Sequence, residues 1–300
     1  MIARHNEAIL SQFEQYLNQI ALSPKTITNY LADLRVFTRW AENEHNANFS
    51  LIAVTPDQIR AYRDYLLTEQ KRAPSTVNRH LQALRKCCAY ITQANLAPRN
   101  AAEDIALVTT EKTPPPRILS TQEMEAILAA ANNARSFIAR RDAAIMHLLL
   151  HAGLRVAEVV DLQTGDVAFD YPGVHLAIRD SRGRGGRDIP LQEETCHALK
   201  EWLRVRPKTT RYPNLFLSQE GKPISSRTVQ RVVSRCAKAA GLGGVTAQLL
   251  RRTYAFHLLQ QTANLELVRQ RLGHQSQKIT LQYLNFTKGE LERVQTEKTT

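Results

Sequence analysis

Apolar residues recur at helical spacing through the first hundred residues, the pattern of helices that bury one face. The first of these runs stops before Pro24, and the second extends from about Lys25 to Glu44. The third begins at Pro56, where the preceding Thr55 is a typical cap and proline fits the first helical position. A fourth run follows Pro74. The pattern predicts four helices in the amino-terminal part of the chain.

The helical periodicity disappears between Leu107 and Ser120, where the sequence TTEKTPPPRIL contains three consecutive prolines. Such a segment favours an extended, semi-rigid connector over a helix or a strand. A chain of 300 residues also exceeds the size that one core usually organises. We therefore expect two domains, at residues 1–108 and 120–300, joined by a linker at 109–119.

The pattern of the second domain begins as helical and then changes. Ser120 caps a first helix, and a strongly apolar helix runs from Arg140 to Ala152. Beyond it, Val174 to Ile178 and Asp188 to Leu191 have the composition of short strands around a glycine-rich turn, which predicts a small β-hairpin. Helical spacing resumes in four further segments: Thr195 to Arg204, Ser226 to Ala240, Leu249 to Gln261 and Leu265 to Leu272. The predicted fold is mainly α, with a small β-hairpin or sheet in the second domain.

The net charge of the chain indicates the kind of partner it binds. The chain carries 40 Lys or Arg against 28 Asp or Glu, a net charge of +12 with a pI near 9.8. Residues 1–108 contain 12 of the basic residues and 10 of the acidic ones, so ten of the twelve excess positive charges belong to the rest of the chain. A basic surface attracts polyanions. Nucleic acid is therefore the expected partner, ahead of an anionic membrane surface.

Composition argues against several other classes of protein. The four cysteines, Cys87, Cys88, Cys196 and Cys236, form no CxxC pair, so we expect buried apolar thiols rather than a zinc site. The longest nearly apolar stretch, Ala143 to Leu154, is far shorter than a membrane span. The amino terminus lacks the apolar segment of a secretory signal. We expect a cytoplasmic, nucleoid-associated protein with no metal, no cofactor and no membrane partner.

Three motifs of the second domain place reactive or phosphate-binding side chains at fixed spacings. In the first motif, Gly-Leu-Arg ends at Arg155 and is followed by Glu158. In the second, Gln248 and Arg251 stand three residues apart, on one face of the predicted helix. The third is Leu-Gly-His, which ends at His274, with Tyr283 nine residues further on. Each motif alone is common, but their order and spacing together are specific.

Together these motifs resemble the boxes of the tyrosine recombinase (phage integrase) family, and the resemblance covers nearly the whole chain. It implies that Tyr283 is the nucleophile, that Arg155 and Arg251 are the two catalytic arginines, and that His274 belongs to the final box. Glu158 matches the acidic position of the first box, where its implied role is to support neighbouring donors. The implied fold is a two-domain DNA clamp, with a four-helix, SAM-like core-binding domain followed by the catalytic domain.

The amino-terminal segment SPKTITNYLADLRVFTRW resembles the core-binding helices of integrases and of Xer-type recombinases. The resemblance implies cleavage of one strand at a time, a 3′-phosphotyrosine intermediate, and exchange through a four-way Holliday junction. It also implies that four protomers act on two DNA sites and that the polar tail at 287–300 docks onto a neighbouring protomer. Integration, excision, cointegrate resolution and dimer resolution would all use the same residues.

The chemistry of phosphodiester cleavage supports the same assignment. A phosphodiester under attack accumulates charge on its non-bridging oxygens, and a forked guanidinium can bind two of them at once. The forks of Arg155 and Arg251 could therefore replace a metal ion. A phenol with a pKa of about 10 is a weak nucleophile until its proton is accepted or its anion is stabilised. Arg155, Arg251 and His274 are the candidates for that task.

Two positions depart from the family pattern. Counting back from Ile189, Arg182 stands on the predicted turn where the family has a lysine that donates a proton to the departing 5′ oxygen. No lysine occurs between Lys112 and Lys200, and arginine holds its proton too tightly to be a good acid. Gln248 replaces a more usual histidine, and its amide can donate a hydrogen bond but cannot exchange protons. We expect both side chains to bind phosphate rather than to move protons.

These substitutions leave alternatives that differ in class. The chain is either a recombinase with altered auxiliary groups or a catalytically impaired, DNA-binding architectural protein of the same fold. A tyrosine-based topoisomerase is a third possibility, against which the amino-terminal domain argues. The enzyme is favoured because Tyr283, Arg155, Arg251 and His274 are all retained. The candidate DNA-binding side chains are Arg79, Arg85, Lys86, Arg184, Arg231 and Arg252.

Overall fold

The computed structural model describes residues 2–45, 49–109, 117–133, 136–170, 173–179, 186–208 and 210–284. The chain divides into two compact units, residues 1–113 and residues 114–300. Arg182 and Arg184 of the glycine-rich turn, and the tail at 287–300, lie outside the described residues. No helix within the described ranges combines the length and the apolar character needed to cross a bilayer.

The first unit contains the four helices that the sequence predicts. They are α1 (Ile2–Gln19), α2 (Pro24–His45), α3 (Pro56–Thr68) and α4 (Pro74–Gln93). A local signal sets the start of α3, because the Thr55 hydroxyl accepts from the Gln58 N–H and the Gln58 side chain accepts from the Thr55 N–H. Such a capping box satisfies two backbone donors that the first turn of a helix leaves unpaired.

An aromatic cluster fixes α2 against α3. The ring of Phe37 lies 5.5 Å from that of Phe49 and 5.0 Å from that of Tyr62, both in edge-to-face geometry. Phe37 and Tyr62 are completely buried. Burial of one side chain of this size contributes roughly 1.5 to 3 kcal/mol. The helices are therefore held together by their aromatic faces more than by propensity.

The second unit is also mainly helical and is organised around one helix. Its helices are α5 (Thr121–Asn132), α6 (Phe137–His151), α7 (Val156–Asp161), α8 (Glu193–Val205), α9 (Ser226–Ala239), α10 (Ala247–Thr262), α11 (Leu265–Leu272) and α12 (Gln277–Leu284). In α6 the ten residues from Arg141 to Leu150 are all buried, so protein surrounds this helix on every side. The end of α6 is consequently a fixed point, and the Gly-Leu-Arg motif follows it directly.

A three-stranded antiparallel sheet accompanies these helices. Its strands β1 (Val167–Asp170), β2 (Gly173–Ile178) and β3 (Arg187–Pro190) lie in the order β1-β2-β3. This sheet confirms the predicted small β-hairpin or sheet, in which β2 and β3 form the hairpin. Strand β1 is a further strand that the sequence pattern did not indicate. Strand β1 has only four residues and exposes Phe169, so its alternation is weak.

The four cysteines are buried and free, in agreement with the prediction of apolar thiols. Burial raises the pKa of the Cys87 thiol, which therefore stays protonated and unreactive. Within the described part of the chain, no three His, Cys, Asp or Glu side chains converge as ligands for a metal ion.

Candidate active site

The first motif is positioned by the end of α6 and the start of α7. Gly153 has a φ of +59°, and a β-carbon at this position would lie 2.2 Å from the Tyr254 ring, so only glycine fits this turn. Arg155 then caps α7, and its backbone N–H and Nη1 each donate to a carboxylate oxygen of Glu158 at 2.7 Å. The Arg155 side chain remains 44% exposed. This guanidinium can therefore reach a ligand.

The second motif lies near the start of α10, which is capped by Thr246. Arg251 is buried, and its Nη1 donates to the Gly153 carbonyl at 2.6 Å while its Nη2 donates to the Leu272 carbonyl at 2.5 Å. One side chain thus joins the first motif to the third. Burial, and then the charge of Arg155, lowers the pKa of Arg251 to about 10, so the guanidinium stays protonated at neutral pH.

A third arginine, which is not among the predicted site residues, completes the cluster. Arg187 begins β3, and its Nη1 and Nη2 donate to Oε1 and Oε2 of Glu158 at 3.0 and 2.9 Å. Its Nε donates to the Arg271 carbonyl at 2.7 Å. A sequence signal for this residue exists, because strand alternation puts Arg187 on the same face as the buried Ile189. An inward-facing charge needs a partner, and Glu158 is that partner.

Glu158 is the shared anion of these arginines. Burial alone would raise the pKa of its carboxyl group, but the hydrogen bonds and charge of Arg187, the Arg155 N–H and the charge of Arg251 together lower it. Nη1 of Arg251 lies 3.6 Å from Oε2 of Glu158. Three guanidinium groups around one carboxylate leave an excess of positive charge, so the cluster favours an anionic ligand.

The third motif turns sharply at Gly273, which has a φ of +62°. A β-carbon at this position would lie 2.9 Å from Nη1 of Arg187, so any side chain would push against the arginine cluster. The next residue, His274, is buried, and its Nδ1 lies 3.0 Å from the Thr280 hydroxyl. Burial, and then the charge of Arg251, lowers the pKa of His274 to about 4, so the imidazole is neutral at physiological pH.

Tyr283 lies on α12 against His274, with ring centres 5.3 Å apart and ring planes at 75°. Its hydroxyl donates to the main-chain carbonyl of Gln248 at 3.2 Å, and the Gln248 side chain itself is exposed. Burial raises the pKa of the phenol, although nearby arginine charges, led by Arg251, oppose that shift. The phenol is therefore protonated at neutral pH and must lose its proton as it attacks.

The candidate DNA-binding residues of the first unit all have partners within the protein. Arg79 pairs with the buried Asp33 at 2.9 Å. Arg85 donates to a main-chain carbonyl, and Nζ of Lys86 lies 5.8 Å from the centre of the Tyr16 ring. Contacts of these side chains with DNA stay predictions.

In the second unit, α9 presents a basic stripe. Arg227, Arg231 and Arg235 are exposed and four residues apart, so they share one face of the helix. Arg235 pairs with the buried Asp142. Arg252, the remaining candidate, donates from Nε to the Tyr283 carbonyl at 2.9 Å.

Comparisons with known proteins point to one family. The profile described as the phage integrase family matches residues 117–290, and that of the phage integrase N-terminal SAM-like domain matches residues 10–95. The tyrosine recombinase XerC of Halalkalibacterium halodurans is 31% identical over 301 residues, which cover 96% of this chain and 96% of that protein.

Two solved structures are similar to this chain in fold. The XerH site-specific recombinase bound to palindromic difH substrate, a post-cleavage complex, matches with a TM-score of 0.74 and 22% identity, covering 89% of this chain and 78% of that one. A lambda integrase tetramer bound to a Holliday junction matches with a TM-score of 0.71 and 20% identity, covering 94% of this chain and 79% of that one. With the family profile over more than half of its length and the XerC relative over nearly all of it, the chain belongs to the phage integrase family of tyrosine recombinases.

Proposed function

We propose that the protein is a site-specific DNA recombinase in which Tyr283 cuts and rejoins duplex DNA. The observation that carries the proposal is that four side chains meet in one cluster: Arg155 and Arg251 contact Glu158, and the charges of both arginines act on the neighbouring His274 and Tyr283. These residues are up to 128 positions apart in the sequence. Their meeting in the fold therefore supports a shared function independently of the motifs.

The arginine cluster is the binding site for the phosphate that is cut. Arg155 presents an exposed fork, and Arg251 supplies a charge that is fixed by two main-chain carbonyls. Glu158 offsets only part of the positive charge, so the cluster can bind an anion. The arginines stay in place when it binds, because Glu158 and the main-chain carbonyls still hold them. Donors that are already oriented stabilise the charge that grows on the non-bridging oxygens during attack.

His274 is suited to accept the phenolic proton. Its Nδ1 shares a hydrogen bond with the Thr280 hydroxyl, which also lies 3.5 Å from the Ser276 carbonyl. When Thr280 donates to that carbonyl, its oxygen accepts from Nδ1–H, and Nε2 carries the lone pair. A bound phosphate raises the pKa of His274 because it adds negative charge beside the ring. The neutral imidazole then works as a general base toward Tyr283.

The reaction forms one bond to phosphorus and breaks another. The Tyr283 oxygen bonds to phosphorus as the bond from phosphorus to the 5′ oxygen breaks, and the phenolic proton passes to His274. This leaves a 3′-phosphotyrosine and, after the 5′ oxygen takes a proton from solvent, a 5′ hydroxyl. The 5′ hydroxyl of a partner duplex reverses the step, so no nucleotide is consumed. Four protomers on two sites carry out the exchange through a Holliday junction. The lambda integrase tetramer on such a junction, which shares this fold, supports the assembly.

The two parts of the chain divide the work on DNA. Residues 1–108 are the core-binding domain, 109–119 the linker and 120–300 the catalytic domain. Arg231 on the basic stripe of α9, with Arg184 of the glycine-rich turn, contacts DNA from the catalytic domain. The core-binding domain contacts DNA through Arg79, Arg85 and Lys86. The protein acts in the cytoplasm, at the nucleoid.

Arg182 and Gln248 bind the scissile phosphate without exchanging protons. Replacing Arg182 with lysine restores a group that can release its proton to the 5′ oxygen. General acid catalysis contributes about 100-fold to 10,000-fold in rate. We expect Arg182→Lys to increase the rate of strand cleavage, as measured in single-turnover reactions, and an unchanged rate would show that the 5′ oxygen draws its proton from elsewhere.

A covalent trapping assay tests the proposed function directly. Nicked duplexes made from DNA that flanks the gene are incubated with the wild type, with Tyr283→Phe and with the matched control Tyr212→Phe. We expect an adduct that survives denaturation with the wild type and the control but not with Tyr283→Phe. Specific binding without an adduct at any pH would instead favour an architectural DNA-binding protein.

A further inference from the structure

Arg252 contacts the nucleophile at two points. Its Nε donates to the Tyr283 carbonyl at 2.9 Å, and its guanidinium carbon lies 5.1 Å from the centre of the Tyr283 ring. The neighbouring Arg251 instead extends into the phosphate cluster, because consecutive residues of α10 point in directions about 100° apart. The two adjacent arginines therefore do different work.

The helix that carries Tyr283 depends on tertiary contacts for its position. Helix α12 has only eight residues, and isolated helices of that length are unstable in water. Thr280 and Leu284 anchor its buried side. On the side of the nucleophile, the Tyr283 ring packs against His274, and Arg252 contacts both the backbone and the ring of Tyr283.

The Tyr283 hydroxyl is in a resting arrangement. It donates its hydrogen to the Gln248 carbonyl, which can accept a hydrogen bond but cannot take a proton. Attack on phosphorus requires the hydroxyl to change partner while the ring stays in place. A cation stacked on the ring and bonded to the backbone leaves the hydroxyl free to make that change.

We infer that Arg252 is a positioning residue that holds Tyr283 beside the phosphate site of the same protomer, and that it is not a DNA-binding side chain. This inference rests on the proposed function, in which Tyr283 is the nucleophile. It explains the occupied guanidinium, since binding to a DNA phosphate would take Arg252 away from the ring. It also implies that each protomer cuts with its own tyrosine.

Measurements of cleavage rate and of DNA affinity distinguish a positioning role of Arg252 from a DNA-binding role. In Arg252→Gln we expect the adduct to form about 10-fold to 100-fold more slowly, because small misplacements of a nucleophile have effects of that size. Affinity for the nicked site and its salt dependence stay unchanged. A lost phosphate contact would instead lower the affinity and reduce the slope of log K against log salt by about 0.9, which would overturn the inference.

Arg211 provides a matched control. Its guanidinium lies 5.0 Å from the centre of the Tyr212 ring, so Arg211→Gln removes an equivalent cation–ring contact away from the nucleophile. We expect this variant to cleave like the wild type. Equal losses in Arg211→Gln and Arg252→Gln would assign the effect to general stability and contradict a positioning role.

The ionisation of Tyr283 tests the contact in the free protein, without relying on cleavage. The Tyr283 Cζ resonance is assigned by its absence in Tyr283→Phe and followed with pH. In Arg252→Gln the loss of the positive charge raises the pKa of the Tyr283 phenol. Arg252→Lys retains a positive charge, so its phenol pKa stays close to that of the wild type. An unchanged titration in Arg252→Gln would overturn the inference, while a wild type that titrates as expected but forms no adduct would overturn the proposed function instead.

Mixed assemblies test whether the contact acts within one protomer. Tyr283→Phe supplies Arg252 without a nucleophile, and Arg252→Gln supplies the nucleophile without Arg252. We expect their mixture to cleave no faster than Arg252→Gln alone. Rescue in the mixture would mean that Arg252 of one protomer positions the tyrosine of another.

Discussion

Glu158 in the second unit and Asp33 in the first are both carboxylates beside arginines, but they differ in how many of their oxygens have hydrogen-bond partners. Both oxygens of Glu158 accept bonds from Arg155 and Arg187. In Asp33 one oxygen pairs with Arg79, and the other is buried without a hydrogen-bond partner among the described residues. The arginines lower the pKa of Glu158, whereas burial raises the pKa of Asp33 against the charge of Arg79.

The two clusters also differ in their balance of charge. Around Glu158, three guanidinium groups exceed one carboxylate, and the exposed Arg155 makes the excess available to an anion. Around Asp33, the single arginine is balanced, because burial lowers the pKa of the neighbouring His80 to about 4 and leaves it neutral. The second unit thus has positive charge around its carboxylate that is not compensated, while Arg79 in the first unit is paired with Asp33.

The largest effect on this comparison is expected from Glu158→Gln. Removing the carboxylate leaves three adjacent cations without their shared anion, and loss of one partner of a buried ion pair costs about 3 to 5 kcal/mol. We expect the free energy of unfolding of the second unit to fall by roughly 3 kcal/mol. Urea titration measures this through Trp202 in a Trp40→Phe background, which leaves Trp202 as the only tryptophan.

The exposed Glu125 supplies the control for this variant, since it lies on the surface of α5. We expect Glu125→Gln to change the unfolding free energy by less than about 0.5 kcal/mol. A similarly small loss in Glu158→Gln would mean that the arginines are separately stabilised, and the idea of a shared anion would be wrong.

A smaller effect is expected from acidification between pH 7 and pH 6. His274 and His147, both in the second unit, have pKa values of about 4 because they are buried, compared with about 6.5 in an unfolded chain. Between these values the unfolded chain binds more protons, so the second unit loses stability as the pH falls, on the order of 1 kcal/mol for each histidine.

In the first unit the same acidification has opposing consequences. His80 acts in the destabilising sense, but Asp33 has a raised pKa and so binds a proton more readily in the folded state. We expect unfolding free energies to fall less in this unit, as followed through Trp40 in a Trp202→Phe background. Equal losses in the two units would contradict the comparison.

Local signals in the sequence predicted most of the fold. The caps at Thr55 and Ser120 mark helix starts because each satisfies backbone donors within a few residues of itself. Elements that are fixed by contacts between distant residues carry no such local signal and were not predicted. Strand β1 is recognisable only by its pairing with β2, and the eight residues of α12 are fixed by contacts with α10 and α11.

The candidate site shows the same division. The motifs predicted Arg155, Arg251, His274 and Tyr283 as residues of one site, because their types and spacings resemble those of a known family. Arg187 was absent from that set, since its partner Glu158 is 29 positions away and only the sheet brings the two together. Similarly, nothing near Arg252 in the sequence indicates that it contacts a tyrosine 31 positions further on.

Gly273→Ala tests how tightly the third motif packs on the Glu158 cluster. Gly241, with a φ of +74° and nothing near its missing β-carbon, provides the matched control. Both alanine variants place a residue with a β-carbon in the left-handed backbone conformation, which destabilises the fold by about 1 to 2 kcal/mol. Only Gly273→Ala also displaces Arg187. We expect Gly273→Ala to lose roughly 1 kcal/mol more than Gly241→Ala in urea titration. Equal losses would show that Arg187 moves aside freely.

The smallest effect is expected from Asp33→Asn. Arg79 is 47% exposed and can be solvated once its partner is neutral, while the amide removes a buried charge that has one unsatisfied oxygen. These changes oppose each other, so we expect the unfolding free energy of the first unit to change by less than about 1 kcal/mol. Fluorescence of Trp40 during urea titration in the Trp202→Phe background measures it. A loss as large as that of Glu158→Gln would mean that Asp33, too, organises its unit, and the contrast between the two carboxylates would fail.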